Sequence, residues 1–143
     1  MPFPIEDRLV IAIASSALFD LAESDSIFRK FGPEEYRKYQ RENQDKVLKP
    51  GVAYPFIRRL LGLNGSSSSE QYVEVILLSR NDSDTGLRVW KSIESHQLGI
   101  TRGAFLRGDA PWPYAPAFNA SLFLSGNERD VREAVLAGIP AGV

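Results

Sequence analysis

The chain has 143 residues, 43% hydrophobic and 24% charged, the size and composition of one globular domain whose core needs no covalent staples. A balance of 17 Lys and Arg against 18 Asp and Glu leaves a formal charge of −1, which gives no electrostatic footprint for nucleic acid. Without cysteine there is no disulfide, no thiolate nucleophile and no Cys-based zinc or iron–sulfur site.

The longest apolar run, within Leu9 to Phe19, is interrupted by serines and is too short to span a bilayer. Glu6 and Asp7 precede it, the wrong charge for a signal-peptide n-region. These features imply a soluble, cytoplasmic domain that engages neither membrane nor nucleic acid.

Leu9–Ala14 reads as a continuous apolar strand, buried on both faces and hence parallel to its neighbours. Phe19 to Asn43 is mixed. Pro33 suits the first turn of a helix, and PEEYRKYQREN places acids early and bases late, as the helix dipole favours. Tyr36 and Tyr39 share a face of that helix. The stretch around 20–48 reads either as a small helical arm over a site or as a solvated surface helix.

Lys49-Pro50-Gly51 precedes an amphipathic helix whose Val52, Ala53, Phe56, Ile57, Leu60 and Leu61 are expected to face the core. Asn64-Gly65 ends it, and Ser66 to Ser69 is a connector. Tyr72–Leu78 is the second buried strand, followed by a helix burying Leu87, Trp90 and Ile93 and ending near His96.

Ile100 to Leu106 is the expected third strand, Gly108–Phe118 a proline-stiffened loop and Ala120–Leu124 a short fourth strand. Asn127 reads as an N-cap with Asp130 at N3 of a capping-box-like pattern. Val131, Ala134 and Val135 form the buried face, Gly138 suits the C′ position, and Ile139 begins a fifth strand. Strands alternating with helices imply right-handed crossovers and an α/β, Rossmann-like three-layer sandwich with a mostly parallel sheet. The chain is expected to be a single α/β domain over 1–143.

No G-x-x-x-x-G-K-[ST], G-x-G-x-x-G or G-x-S-x-G pattern occurs, so phosphate-loop, dinucleotide and nucleophile-elbow readings lack support. His96, the single histidine, sits among polar residues near a helix end with no partnered nucleophile in view. Asp20 alone makes a poor magnesium site and reads as a surface or capping residue. Trp112 and Tyr114 are either base-stacking aromatics or hydrophobic pegs.

The strand ends carry the chemistry. In EVILLSRNDSDTGLRVWKSI an apolar run stops at Ser79, Arg80 and Asn81, and a helix follows. Ligands bind at the carboxyl ends of parallel strands, and helix N-termini favour anions. Arg80 is suited to bidentate phosphate binding, with Ser79 and Asn81 as neutral partners; its alternative is a surface pair with Asp82 or Asp84. Ser15 and Ser16 follow the first strand in the same way and read equally as phosphate donors or as a helix cap.

The segments LVIAIASSALFD, YRKYQREN, LKPGVAYPFIRRLL, VEVILLSRNDSDTGLRVWKSIE, YAPAF, LFLSGN and VREAVLAGI, in that order, resemble the amino-terminal half of the cytosolic 5′-nucleotidase type I family. That family resembles haloacid-dehalogenase-type phosphatases. The resemblance implies a haloacid-dehalogenase-like core and magnesium-dependent hydrolysis of nucleoside 5′-monophosphates such as AMP.

Such phosphatases place an aspartate nucleophile, and a second aspartate two residues on, after the first strand. Ile13 and Ser15 occupy those positions here. Ser79 matches the hydroxyl position after the second strand. The expected lysine falls near Pro116, and the expected acidic pair at Ser125 and Gly126.

The resemblance therefore implies a half lacking the nucleophile, with no catalytic residue and no metal ligand of its own and with little or no phosphatase activity in isolation. It also implies magnesium as the family's cofactor, none of it tightly held by this chain. The expected partners are a nucleoside monophosphate or phosphate and a carboxyl-terminal half or second copy of the chain. The alternative is a non-catalytic nucleotide- or phosphate-binding module.

Overall fold

A computed structural model of the chain describes residues 8–67 and 70–143. Glu6, Asp7 and the Ser68-Ser69 part of the serine connector lie outside the described residues.

Five strands, β1 (Leu9–Ile13), β2 (Val73–Ser79), β3 (Arg102–Phe105), β4 (Leu122–Leu124) and β5 (Ala141–Gly142), form one sheet in the order β3-β2-β1-β4-β5. Every pairing is parallel, with Ile11 opposite Val75 on one side and Leu122 on the other. The helices are α1 (Ser15–Leu18), α2 (Ala22–Phe31), α3 (Pro33–Glu42), α4 (Tyr54–Leu61), α5 (Ser83–Ser95) and α6 (Glu128–Leu136), with a 3₁₀ helix at Trp112–Phe118.

The apolar strands are buried on both faces because side chains alternate across the pleat. Ile11, Ile13, Val75 and Leu77 pack on one side against Leu18, Ile57, Val89 and Ile93. Val10, Ala12, Ile76, Leu78 and Phe123 pack on the other against Ala115 and Ala134. Each fully buried aliphatic of this kind contributes about 1.5–3 kcal/mol. The result is the expected Rossmann-like, haloacid-dehalogenase-like α/β sandwich.

Local chemistry sets the helix ends. Asp82 Oδ1 accepts from Thr85 N–H (2.9 Å) to start α5, and Asn127 Oδ1 accepts from Asp130 N–H (3.2 Å) to start α6. Pro33 opens α3 as expected, and Gly138, at φ 84°, supplies the left-handed turn after α6. The proline-stiffened loop becomes the 3₁₀ helix.

Several buried faces differ from expectation. Val52 is 91% exposed and lies ahead of α4, while Ile57 is fully buried; Phe56 is also exposed. On α5 the buried stripe runs through Thr85, Val89, Ser92 and Ile93, so Leu87 turns outward. Val135 is likewise exposed while Val131 and Ala134 are buried. Helical spacing identifies a repeating stripe, and packing against the sheet decides which of two neighbouring stripes it is.

The α3 helix packs on α2 and α5. Gln40 Oε1 accepts from buried Arg88 (2.9 Å), whose Nε also donates to the Lys46 carbonyl (3.0 Å). His96 is structural: Nε2 lies 2.9 Å from the Leu48 carbonyl and its ring stacks on Phe19, with Tyr54 edge-on.

The Lys49-Pro50-Gly51 corner docks on the chain leaving β1. Gly51 N–H donates to Leu18 O (2.9 Å), Asp20 N–H to Lys49 O (2.9 Å), and Phe19 bridges Pro50. A Cβ at Gly51 would stand 2.8 Å from the Ala17 oxygen and the Phe19 carbonyl carbon. Gly51→Ala is therefore expected to destabilise the fold by about 1–3 kcal/mol, as overpacking against backbone does. A lowered urea midpoint with unchanged m-value checks it.

Candidate functional site

The sheet order makes the gap between β1 and β4 a topological switch point, because connections leave β1 toward β2 on one side and enter β4 on the other. A cleft of about 430 Å³ opens there, at the carboxyl ends of β1, β2 and β4. Every sequence-derived candidate, Ser15, Ser16, Ser79, Arg80 and Asn81, lines it.

Three of them form one cluster. Ser15 Oγ and Ser79 Oγ are 2.7 Å apart, Ser79 Oγ donates to Asn81 Oδ1 (2.5 Å), and Ser15 Oγ also contacts Asn81 Oδ1. Two hydroxyl protons serve three oxygen–oxygen contacts, so the cluster is acceptor-rich. Ser15 and Ser79 are buried, whereas Asn81 reaches the opening.

The backbone behind the cluster is held from β3. Leu106 N–H donates to Ser79 O (2.8 Å) and Gly108 N–H to Arg80 O (2.7 Å). Across the cleft, Gly126 N–H donates to Ser16 Oγ (3.1 Å) and Asn127 N–H to Ser125 Oγ (3.0 Å). Ser16 and Ser125 thus hold the chain entering α6 while lining the cleft, and neither Ser15 nor Ser16 caps α1, whose N-cap is Ala14 with no side-chain bond.

Arg80 has a different partner from the one sequence suggested. Its Nε donates to Asp130 Oδ2 (2.8 Å), Nη2 contacts Asp130 Oδ1, and Nη1 donates to Gly108 O (2.6 Å). Neither Asp82 nor Asp84 is in this pair; Asp82 caps α5 instead.

Asp130 is 1% exposed, so its charge is matched inside the cleft wall. Its side chain serves no capping box, since the Asn127 N–H that it would accept is taken by Ser125. The hydrogen bond to Asp130 raises the Arg80 guanidinium above its already high range, and three of its five N–H donors are committed.

Sequence reasoning missed Asp130, Asp25 and Leu21 as cleft residues. Asp25 stands on α2 at the lip, where loss of water pushes its carboxyl pKa up against the pull of Arg29. Trp112 donates Nε1–H to Glu133 (3.2 Å) and packs on the sheet, the peg rather than the stacking reading. Asp20 accepts from Ala22 N–H (3.0 Å), the capping reading.

Of the two positions that would carry aspartates, Ile13 is buried inside β1 and only Ser15 faces the cleft. Among the described residues no group of three or more His, Cys, Asp or Glu is placed to hold a metal. Magnesium takes one or two carboxylates plus substrate phosphate. Here the Asp130 carboxylate is occupied by Arg80, and the cleft's other carboxylate is that of Asp25 at the lip.

A family model described as 5′-nucleotidase matches residues 1–143. The chain belongs to the 5′-nucleotidase family. It is 28% identical over 145 residues to human "Cytosolic 5'-nucleotidase 1B", covering 96% of this chain and 24% of that protein. This 5′-nucleotidase-family chain thus spans about a quarter of the relative's length. No solved structure gives a significant match. Among the described residues no helix is long and apolar enough to cross a membrane.

The buried pair yields a prediction for this 5′-nucleotidase-family cleft. Asp130→Ala strands a partly buried guanidinium and is expected to cost about 1–3 kcal/mol. Adding Arg80→Met should recover part of that loss, giving a coupling energy of about 0.5–3 kcal/mol in a urea-unfolding double-mutant cycle. Additive losses would mean that the two side chains act independently.

Proposed function

We propose that this chain is the phosphate-binding, nucleophile-lacking half of a protein that hydrolyses nucleoside 5′-monophosphates such as AMP. The observation that carries it is the hydroxyl–amide cluster of Ser15, Ser79 and Asn81 at the switch point, with the cleft's one buried carboxylate neutralised by Arg80. Such a cleft offers hydroxyl and amide groups to a phosphate, while the buried carboxylate beside them is held by Arg80 rather than left free to attack it.

In this reading Ser15, Ser16, Ser79 and Asn81 contact the phosphate. A half-turn of the Asn81 amide would present its NH₂ to both serines and free a hydroxyl proton for the anion. Arg80, steadied by Asp130, contributes the N–H donors that Asp130 and Gly108 leave over.

Phosphomonoester hydrolysis is extremely slow without a positioned nucleophile and charge neutralisation. The carboxylates for it, and the magnesium that the family resemblance implies, come in this reading from a carboxyl-terminal half.

Two outcomes are expected. The purified chain with AMP and magnesium releases phosphate at the rate of a buffer blank; turnover comparable to a normal phosphatase, lost on Ser79→Ala, would sink the inactivity claim. Inorganic phosphate, titrated by chemical-shift perturbation, binds weakly, and Ser79→Ala weakens it about fivefold, the value of one hydrogen bond of about 1 kcal/mol. Unchanged affinity would remove Ser79 from the site.

A further inference from the structure

A second hollow, of about 110 Å³, opens between α2, the 46–49 segment and α5, and shares no lining residue with the strand-end cleft. Lys46, Lys49 and Arg88 bring three cations to it, and Asp20 and Glu23 bring two carboxylates.

Arg88 is the unusual member. It is 4% exposed, yet among the described residues it forms no ion pair. Nε donates to the Lys46 carbonyl and Nη1 to Gln40 Oε1, both neutral acceptors, and the guanidinium lies 5.8 Å over the Tyr39 ring. Among the described residues no protein acceptor takes Nη2. A buried guanidinium without a counter-charge carries a desolvation cost that carbonyl and amide oxygens offset only in part.

The two carboxylates of the hollow are engaged elsewhere. Asp20 accepts from Ala22 N–H, and Glu23, at the exposed rim, accepts from the Tyr39 hydroxyl (2.6 Å) with Lys46 Nζ 3.8 Å away. The Tyr39 hydrogen bond first, then the charge of Lys46, with smaller contributions from Arg88 and Lys49, holds the Glu23 carboxyl below its ordinary range. All three cations are therefore felt at one point on the rim.

We infer that this hollow is a site for one small tetrahedral oxyanion, of the size of inorganic sulfate or phosphate, held by the Arg88 guanidinium and the ammonium groups of Lys46 and Lys49. A guanidinium offers paired N–H donors to such an ion, and lysines on flexible stems close on it as point charges. Space sets the class. About 110 Å³ is room for a few water molecules. Pockets for larger organic ligands begin at about 300 Å³. The ion supplies Arg88 with the counter-charge that the fold does not. This assignment stands apart from the phosphate reading of the cleft, because it uses none of the cleft's residues.

The test titrates the full chain with inorganic sulfate, and separately with inorganic phosphate, following backbone amide and arginine Nε–H chemical shifts. Sulfate is expected to move the resonances of residues 46–49 and of Arg88 Nε–H. Lys46→Gln combined with Lys49→Gln, both exposed side chains, should weaken binding about tenfold, the worth of one charge-assisted hydrogen bond, with the urea midpoint unchanged. Glu23→Gln removes the competing carboxylate and should tighten binding about threefold, the scale of one exposed charge pair. Lys38→Gln, an exposed change outside the hollow, and Ser79→Ala, in the cleft, should leave sulfate binding here unchanged.

Absence of shifts at residues 46–49 and Arg88 overturns the inference. Equal weakening by Lys38→Gln overturns it too, since the ion would then only screen surface charge. Because Ser79→Ala reads the cleft and the lysine variants read this hollow, failure of one site leaves the other standing.

Discussion

The double-sided burial of β1 is the constraint on which the rest depends. Val10, Ala12 and Ile13 are fully buried between β2 and β4, so the strand can carry no polar side chain until it leaves the sheet. Polar chemistry begins at Ser15, one residue beyond Ala14. β2 likewise carries an unbroken apolar run from Val75 to Leu78 before Ser79, and β4 ends at Leu124. Because all the strands are parallel, these three polar onsets emerge at one edge. Ser15, Ser79 and Ser125 therefore share a cleft although they are far apart in the chain.

What that edge can do is set by charge accounting. Arg80 is the cation placed to meet an anion there, and it faces a buried carboxylate on α6. The pair closes the cleft wall between the end of β2 and the first turn of α6, at the expense of the positive charge. Asp25 adds a carboxylate at the lip. Recognition of a phosphate would then depend on short hydrogen bonds from neutral donors, which discriminate geometry well but neutralise little charge. A dianion in such surroundings gains from any cation delivered by another segment.

Strands, helix caps and the strand-end cluster were legible because they depend on local rules. A continuous apolar run predicts a buried parallel strand, and Asn127 caps α6 through its own third residue. The orientation of helices was less legible. On α5 the spacing of Leu87, Trp90 and Ile93 is helical, yet the sheet accepts Val89 and Ile93 while Arg88 is drawn inward by Gln40 and the Lys46 carbonyl. Asp130 was the least legible of all. Its partner lies 50 positions away, and only the β1–β4 adjacency brings them together. A short-range capping pattern was the natural reading of its neighbourhood, and a long-range charge pair displaced it.

The same geometry sets what a carboxylate at position 15 would meet. A carboxylate at position 15 would sit where the present side chain is 1% exposed and hydrogen-bonded to Ser79. Burial penalises an ionised carboxylate unless a cation or several donors offset it. The nearest guanidinium, Arg80, is already bound to Asp130 and Gly108. An aspartate there would stay protonated, or would pull Arg80 away and strand Asp130. The hydroxyl cluster and the Arg80–Asp130 pair thus line one cleft, the first uncharged and the second neutralised within itself.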